Sequence, residues 1–274
     1  MNIKAFKMDG LGNDFVIIDQ RKQELNLRKD QIIKICDRDY IGCDQLILIK
    51  KNDKLDASLE FYNSDGSISG ACGNGTRCVS DFLSKINKKK EISVWTSSGI
   101  LKSNILGNNI VETKILPPKM NWNEIPLSKN LSTSNLNIKI IDKNNKEYVG
   151  GTAVNVGNPH VVFFVNNLED FDLKKIGPEI ENHEIFPEKC NVTLARVISK
   201  NLIKVKVWER GAGLTKACGT AACATAVAAN INGLTEKVAD VEFELGKLSI
   251  CIDEKNNIYM KGPISDIKNI EIKL

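Results

Sequence analysis

A cysteine-glycine pair occurs twice in this chain, each time at the head of a helical pattern. "GACGNGTRC" runs from Gly70 to Cys78 and "KACGTAAC" from Lys216 to Cys223, so Cys72-Gly73 and Cys218-Gly219 stand 146 positions apart. Other landmarks keep nearly the same offset. Gly12-Asn13 leads into "DFVII" 145 positions before Gly157-Asn158 leads into "PHVVFF", Gln45 lies 146 before Asn191, Asn63 lies 146 before Glu209, and Gly99 lies 147 before Gly246. Gly-Asn pairs are common in turns, but turns alone do not hold one offset through so many positions. The pattern implies an internal duplication, in which polar residues end equivalent strands and two like domains pack about a pseudo-twofold axis around one cleft.

Hydrophobic periodicity fills in the elements. Apolar runs predict strands over Ile3–Lys7, Phe15–Asp19, Gln45–Ile49 and Ala57–Asn63, and a helix over Arg28–Asp37 with Ile32, Ile33 and Cys36 on one face. After Cys72, the residues Val79, Phe82, Leu83 and Ile86 recur at helical spacing. Short alternating runs from Glu91 to Ile115 predict a β-meander, which Pro117-Pro118 ends. An Asn/Ser-rich stretch to Asn137 is expected to be loop. The programme then restarts with strands at Ile138–Ile141, Gly151–Val156 and Val161–Val165, a short helix near Leu173–Ile176, and strands around Asn191–Val197 and Leu202–Trp208. The helix after Cys218, "GTAACATAVAANI", is apolar almost all round and is expected to be buried on every side, ending at Asn232-Gly233. The expected domains are 1–117, completed by 263–274, and 118–262.

Composition narrows the class. A length of 274 residues, 42% hydrophobic and 26% charged, fits a globular protein with a real core. The net charge of +4 is scattered, and the run Lys88-Lys89-Lys90 follows a predicted helix, so no nucleic-acid partner is expected. No apolar run is long enough to span a membrane and the N-terminus has no signal-like segment, which points to the cytoplasm and to reduced thiols. None of the eight cysteines forms CxxC, and the two histidines, His160 and His183, lack metal-ligand spacing, so no metal site is expected. For most of these cysteines, Cys78 and Cys223 included, core packing suffices.

Cys72 and Cys218 fit a different reading. A cysteine at the first turn of a helix has its thiolate stabilised by unpaired N–H groups, which lowers its pKa into the range ~3.5–7.5. The same N–H groups can hold a carboxylate, and adjacent glycines allow close approach. Two such helix starts facing one α-amino acid could take a proton from one face of its α-carbon and return one to the other. The carbanion's charge would then spread onto the held carboxylate, with no metal or other cofactor required. Asn13, Gln45, Asn63, Asn158 and Asn191 offer uncharged donors and acceptors for recognition. Glu209-Arg210 adds a carboxylate and a fork suited to a second ammonium and carboxylate. His160 could orient a ligand or be a satisfied structural histidine.

In these residues the chain resembles the diaminopimelate epimerase family. The matching segments are "MDGLGNDFVIID" (8–19), "GCDQ" (42–45), "NSDGSISGACGNGTRC" (63–78), "GNPHVVFFV" (157–165) and "WERGAGLTKACGTAACA" (208–224). The resemblance implies an α+β fold of two pseudo-symmetric domains, each a barrel-like mixed sheet around a central helix. It implies Cys72 and Cys218 as the catalytic bases and Gly73, Asn74, Gly219 and Thr220 as binders of the reacting α-carboxylate. Asn13, Asn63, Asn158, Asn191, Glu209 and Arg210 would contact a diaminopimelate substrate, with Gln45 beside them. It further implies a cofactor-independent homodimer that converts the LL to the meso isomer for lysine and peptidoglycan precursors. Departures from the family pattern stand at Ser64, Ala71, Leu214 and Ala221, the last two at the second helix start. Two alternatives remain open at this stage. One is a racemase of proline or hydroxyproline; the other is a thiol protein in which Cys72 and Cys218 form a regulatory disulfide.

Overall fold

The computed structural model describes residues 2–70 and 72–274; the departure at Ala71 lies outside the described residues. Two compact units form, Met1–Ile115 with Lys261–Leu274 and Leu116–Met260.

In the first unit β1 (Asn2–Gly10) turns tightly into β2 (Asn13–Asp19), pairing Gly10 with Asn13. Helix α1 (Lys29–Cys36) carries the chain to β3 (Gln45–Lys50), which lies parallel to β2 with Phe15 beside Gln45. β4 (Ala57–Asn63) runs back antiparallel, so Gln45 faces Asn63. After the short β5 (Ile68–Ser69) comes α2 (Gly73–Asn87), then a meander of β6 (Glu91–Thr96), β7 (Gly99–Gly107) and β8 (Ile110–Ile115). The chain's last strand, Lys268–Lys273, returns to pair with β1. Strands at both ends of this succession, β1 and β8, touch α2, as do β2, β6 and β7, so the sheet wraps around the helix.

The inner strands are covered on both faces, and Phe15 through Ile18 and Leu46 through Ile49 are all buried. On the outer face α1 closes a second core with Ile3, Val16, Ile18, Leu46 and Leu48. Here the face of α1 differs from the sequence expectation. Ile32, Ile35 and Cys36 are buried, whereas Ile33 is 42% exposed, because eight residues at 3.6 per turn present the stripe through Ile35 to the sheet. In α2 the first turns, Gly73 to Asp81, are buried all round, and Ile86 at the far end emerges into solvent.

The second unit repeats the plan. It adds a hairpin of β9 (Ile138–Ile141) and β10 (Glu147–Gly150), and the latter was not foreseen from its sequence. β11 (Thr152–Asn155), β12 (Pro159–Phe164), α3 (Leu173–Glu181), β13 (Asn191–Ser199) and β14 (Leu202–Glu209) follow. Then come β15 (Gly213–Thr215), α4 (Gly219–Ile231), β16 (Val238–Phe243) and β17 (Gly246–Ile252), and β18 (Ile258–Pro263) begins in this unit and ends in the first. The stretch before Asn137 has no regular structure, yet its Ile125, Leu127 and Leu136 are buried under α3's side of the sheet.

Strand pairing demonstrates the duplication more strictly than the sequence does. Phe61 pairs with Ser69 in the first unit and Val207 with Thr215 in the second. Ala57 lies beside Val94 in one and Ile203 beside Val241 in the other. Thr96 faces Gly99, and Phe243 faces Gly246. A register slip of one residue would turn each strand's apolar set outward, so two matching sets of registers define one folding plan used twice.

The two central helices differ in how tightly they are gripped. A Cβ added at Gly75 would come within 2.7 Å of Ile47 Cδ1, 3.1 Å of Phe61 and 3.2 Å of Phe15. At the equivalent place in α4 stands Ala221, which is fully buried and accommodated. Gly75→Ala is therefore expected to destabilise the protein by about 1–3 kcal/mol through overpacking, and Ala221→Gly by about 0.5–1 kcal/mol through backbone entropy. Urea unfolding of both variants checks the contrast.

Candidate active site

Each unit places its cysteine at the same point. Cys72 is the N-cap of α2, with φ −134° and ψ 115°, and Cys218 is the N-cap of α4, with φ −143° and ψ 117°. In both cases the cysteine carbonyl accepts the first helical hydrogen bond, from Thr76 N at 2.8 Å and from Ala222 N at 3.0 Å. The N–H groups of Gly73, Asn74 and Gly75, and of Gly219, Thr220 and Ala221, precede that first bond and have no carbonyl within their helix to reach. All eight cysteines stand outside disulfides, and Cys78 and Cys223 are fully buried one to two turns along their helices.

In the first unit the residues singled out from sequence gather in two linked pairs. Asn13 Oδ1 accepts from Cys72 Sγ at 3.6 Å and from Asn74 Nδ2 at 3.3 Å. Gln45 Nε2 donates to Asn63 Oδ1 at 2.9 Å, and Asn63 Nδ2 donates to Ser67 Oγ at 3.0 Å. The parallel β2–β3 register brings the pairs to the same end of the sheet. Gln45 Oε1 and Asn74 Oδ1 are buried without a protein partner, so this end of the unit carries acceptors that a ligand with N–H groups could use.

Asn13 is held from behind by a charged cluster. Its Nδ2 donates to Asp44 Oδ2 at 2.8 Å, and the Asp14 amide donates to the same oxygen at 3.1 Å. Arg38 forks across both acids, reaching Asp14 Oδ2 at 2.7 Å and Asp44 Oδ1 at 2.6 Å, and Lys7 adds an ion pair to Asp14 at 3.5 Å.

In the second unit His160, Asn158, Asn191 and Arg210 form one chain of contacts. His160 Nε2 lies 2.9 Å from Asn158 Oδ1 and 3.5 Å from Asn191 Nδ2. Asn191 Nδ2 also donates to the Pro159 carbonyl at 3.0 Å, while its Oδ1 accepts from Arg210 N at 3.0 Å. The Arg210 side chain donates to the Glu188 carbonyl at 2.7 Å. Behind the Glu209-Arg210 turn sits Glu181, a buried carboxylate on α3. It accepts from Trp208 Nε1 at 2.7 Å and from Gly211 N at 3.2 Å, one bond on either side of the turn. Glu181 and Asp44 were missed in the sequence. Their only signals were a glutamate on the apolar stripe of α3 and an acid directly beside Gln45.

Cys218 Sγ lies 3.3 Å from Thr220 Oγ1. Burial, and then the neighbouring Glu209 carboxylate, raise this thiol's pKa well above the usual cysteine value, outweighing the Thr220 hydroxyl and the Ala221 amide, which pull it down. That corrects the sequence expectation that a helix start by itself depresses both thiols. At Cys218 the helix N–H groups are present, but the loss of water and a nearby negative charge dominate. Cys218 is therefore a thiol at neutral pH.

His160 is entirely buried, and burial first and the Arg210 guanidinium second lower its pKa to about 3. It is a neutral ring. Between that value and the unperturbed value of about 6.5 the unfolded chain binds a proton that the folded chain does not, so stability falls as pH falls through this window. The stability difference between the protein and His160→Gln is expected to shrink by about 1.4 kcal/mol per pH unit below ~6. Urea titrations at pH 7, 6 and 5 measure this.

Matching registers make the chain an α+β fold of two like units, each a sheet wrapped around a helix capped by a cysteine. The same fold is seen in a hydroxyproline epimerase from Agrobacterium vitis, solved with bound trans-4-hydroxy-L-proline (TM-score 0.70, 11% identity, 99% of this chain and 91% of that one). It is seen also in a phenazine biosynthesis protein of Bacillus anthracis (TM-score 0.69, 14% identity, 100% of both chains). The model of the family described as diaminopimelate epimerase matches residues 5–116 and 152–267. A diaminopimelate epimerase of Pelagibacter ubique (strain HTCC1062) is 74% identical over 274 residues, covering 100% of both chains, and one of Acidiphilium cryptum (strain JF-5) is 39% identical over 260 residues, covering 94% of this chain and 92% of the relative. The chain belongs to the diaminopimelate epimerase family.

Proposed function

We propose that this protein interconverts LL- and meso-diaminopimelate by inverting one α-carbon, with Cys72 and Cys218 as the two acid–base groups. The observation that carries the reading is the repetition of a cysteine N-cap with the same backbone conformation at the head of each central helix. Inversion requires a proton to leave one face and a proton to arrive on the other. Two thiols provide this without a cofactor: a thiolate takes the Cα–H proton, the electron pair moves toward the α-carboxylate, and the opposing thiol's S–H proton goes to the carbon. After turnover the protonation states of the two sulfurs are exchanged.

The N–H groups of Gly73, Asn74, Gly219 and Thr220 stabilise the charge that develops on the carboxylate. Cys218, held as a thiol by burial and Glu209, is the proton donor in the first turnover, and Cys72 is the group that accepts the proton from carbon. Asn13, Asn63, Asn158, Asn191, Glu209 and Arg210 contact the substrate, with Gln45 beside them. The same reading includes a homodimer in the cytoplasm, acting in lysine and peptidoglycan precursor synthesis. Among the described residues no helix is long and apolar enough to cross a membrane.

Cys72→Ala and Cys218→Ala are each expected to lower epimerisation of LL-diaminopimelate by at least ~10³-fold, the scale of removing an essential proton carrier, with folding retained by circular dichroism. Full activity in either variant would overturn the two-thiol mechanism. Turnover of proline in place of diaminopimelate would overturn the substrate.

A further inference from the structure

An amide side chain looks nearly the same either way round, and its hydrogen-bond partners decide which end faces which. At Asn13 the decision comes from Asp44. A carboxylate only accepts, so the nitrogen must point to Asp44 Oδ2 at 2.8 Å, and the carbonyl oxygen is thereby turned toward Cys72 Sγ at 3.6 Å. Asp44 is itself fixed, since the Asp14 amide donates to the same oxygen and Arg38 grips the other. An acceptor aimed at a sulfur stabilises the S–H form and disfavours the thiolate.

We propose that Asp44 is a positioning residue that locks the Asn13 carboxamide with its oxygen toward Cys72, and so sets the basicity of that thiolate. The proposal rests on Cys72 being one of the two bases. When Cys72 takes the substrate's proton, the new S–H finds an acceptor already in place, which makes the thiolate a stronger base than an open helix start would leave it. Without the lock the amide can turn over and present its Nδ2 to the sulfur. The thiolate would then be more populated and less willing to take a proton from carbon. Asn74 gains from the same lock, because its Nδ2 donates to the oxygen that Asp44 orients.

The test pairs an activity with a chemical readout that simple loss of structure does not imitate. Cys72 alkylation by iodoacetamide at pH 7 is followed by peptide mass spectrometry, with the buried Cys78 as internal control. In Asp44→Ala the Cys72 rate is expected to rise about three- to tenfold, the worth of one hydrogen bond exchanged for another, while epimerisation falls about tenfold and Cys78 stays unlabelled. Asp44→Asn still offers one carbonyl oxygen to Asn13 and is expected to recover most of both changes. Arg38→Ala, which keeps the carboxylate, is expected to lower Tm yet leave the Cys72 rate within about twofold.

An unchanged Cys72 rate in Asp44→Ala, or an equal rise in Arg38→Ala, would overturn the proposal. If Asp44→Ala labels at Cys78 as well and is unfolded, Asp44→Leu, of similar size and with no acceptor for Asn13 Nδ2, decides in its place, and a Cys72 rate identical to wild type there overturns the proposal. Should Cys72→Ala retain full epimerisation, the reading of Cys72 as a base fails, while the alkylation rates still report whether Asp44 controls the thiol.

Discussion

The structure depends on a helix being buried at its start. In each unit the sheet closes around the first turns of α2 or α4, and those turns carry N–H groups that no residue of the helix can satisfy. A buried helix start with a cysteine cap combines three things in one place: unpaired donors for an anion, a polarisable thiol, and the absence of bulk water. Gly75 is demanded by the side chains of Phe15, Ile47 and Phe61 that pack on α2. The fold and the chemistry therefore share one cause.

Burial also sets the protonation states. A helix N-terminus alone would favour a thiolate, yet Cys218 is kept protonated because losing water, next to Glu209, costs a charged sulfur more than the helix returns. His160 obeys the same rule with the opposite charge. Its ring is neutral because an imidazolium there would be dry and close to Arg210. Its Nε2 thus serves to hold Asn158 in place, while Asn191 is held by the Pro159 carbonyl and the Arg210 amide. In each unit a carboxylate acts from behind: Asp44 turns Asn13, and Glu181 clamps the turn that carries Glu209 and Arg210.

Much of this was legible in the sequence because duplication is a repeated register, and register is written in period-two apolar patterns that survive divergence. The central strands, both cysteine-capped helices and the polar residues at strand ends follow from that pattern. Three features did not. The exposed face of α1 at Ile33 and the emergence of Ile86 depend on where a neighbouring sheet stops, which periodicity does not record. The buried Ile125, Leu127 and Leu136 lie in a segment whose composition reads as loop, and only the core of the second unit draws them in. The direction of the Cys218 pKa and the lock at Asp44 arise from residues distant in sequence, so local motifs around the cysteines could not contain them.

In the proposed mechanism two different groups handle the departing and arriving protons. The most direct measurement is the isotopic content of both isomers after brief reaction of LL-diaminopimelate in D2O. Two thiols predict deuterium at the inverted α-carbon of the meso product, while the recovered LL substrate at low conversion still carries protium. Meso product that retains the substrate's own hydrogen, or LL substrate that gains deuterium before product forms, would show a single group serving both faces and would contradict the account.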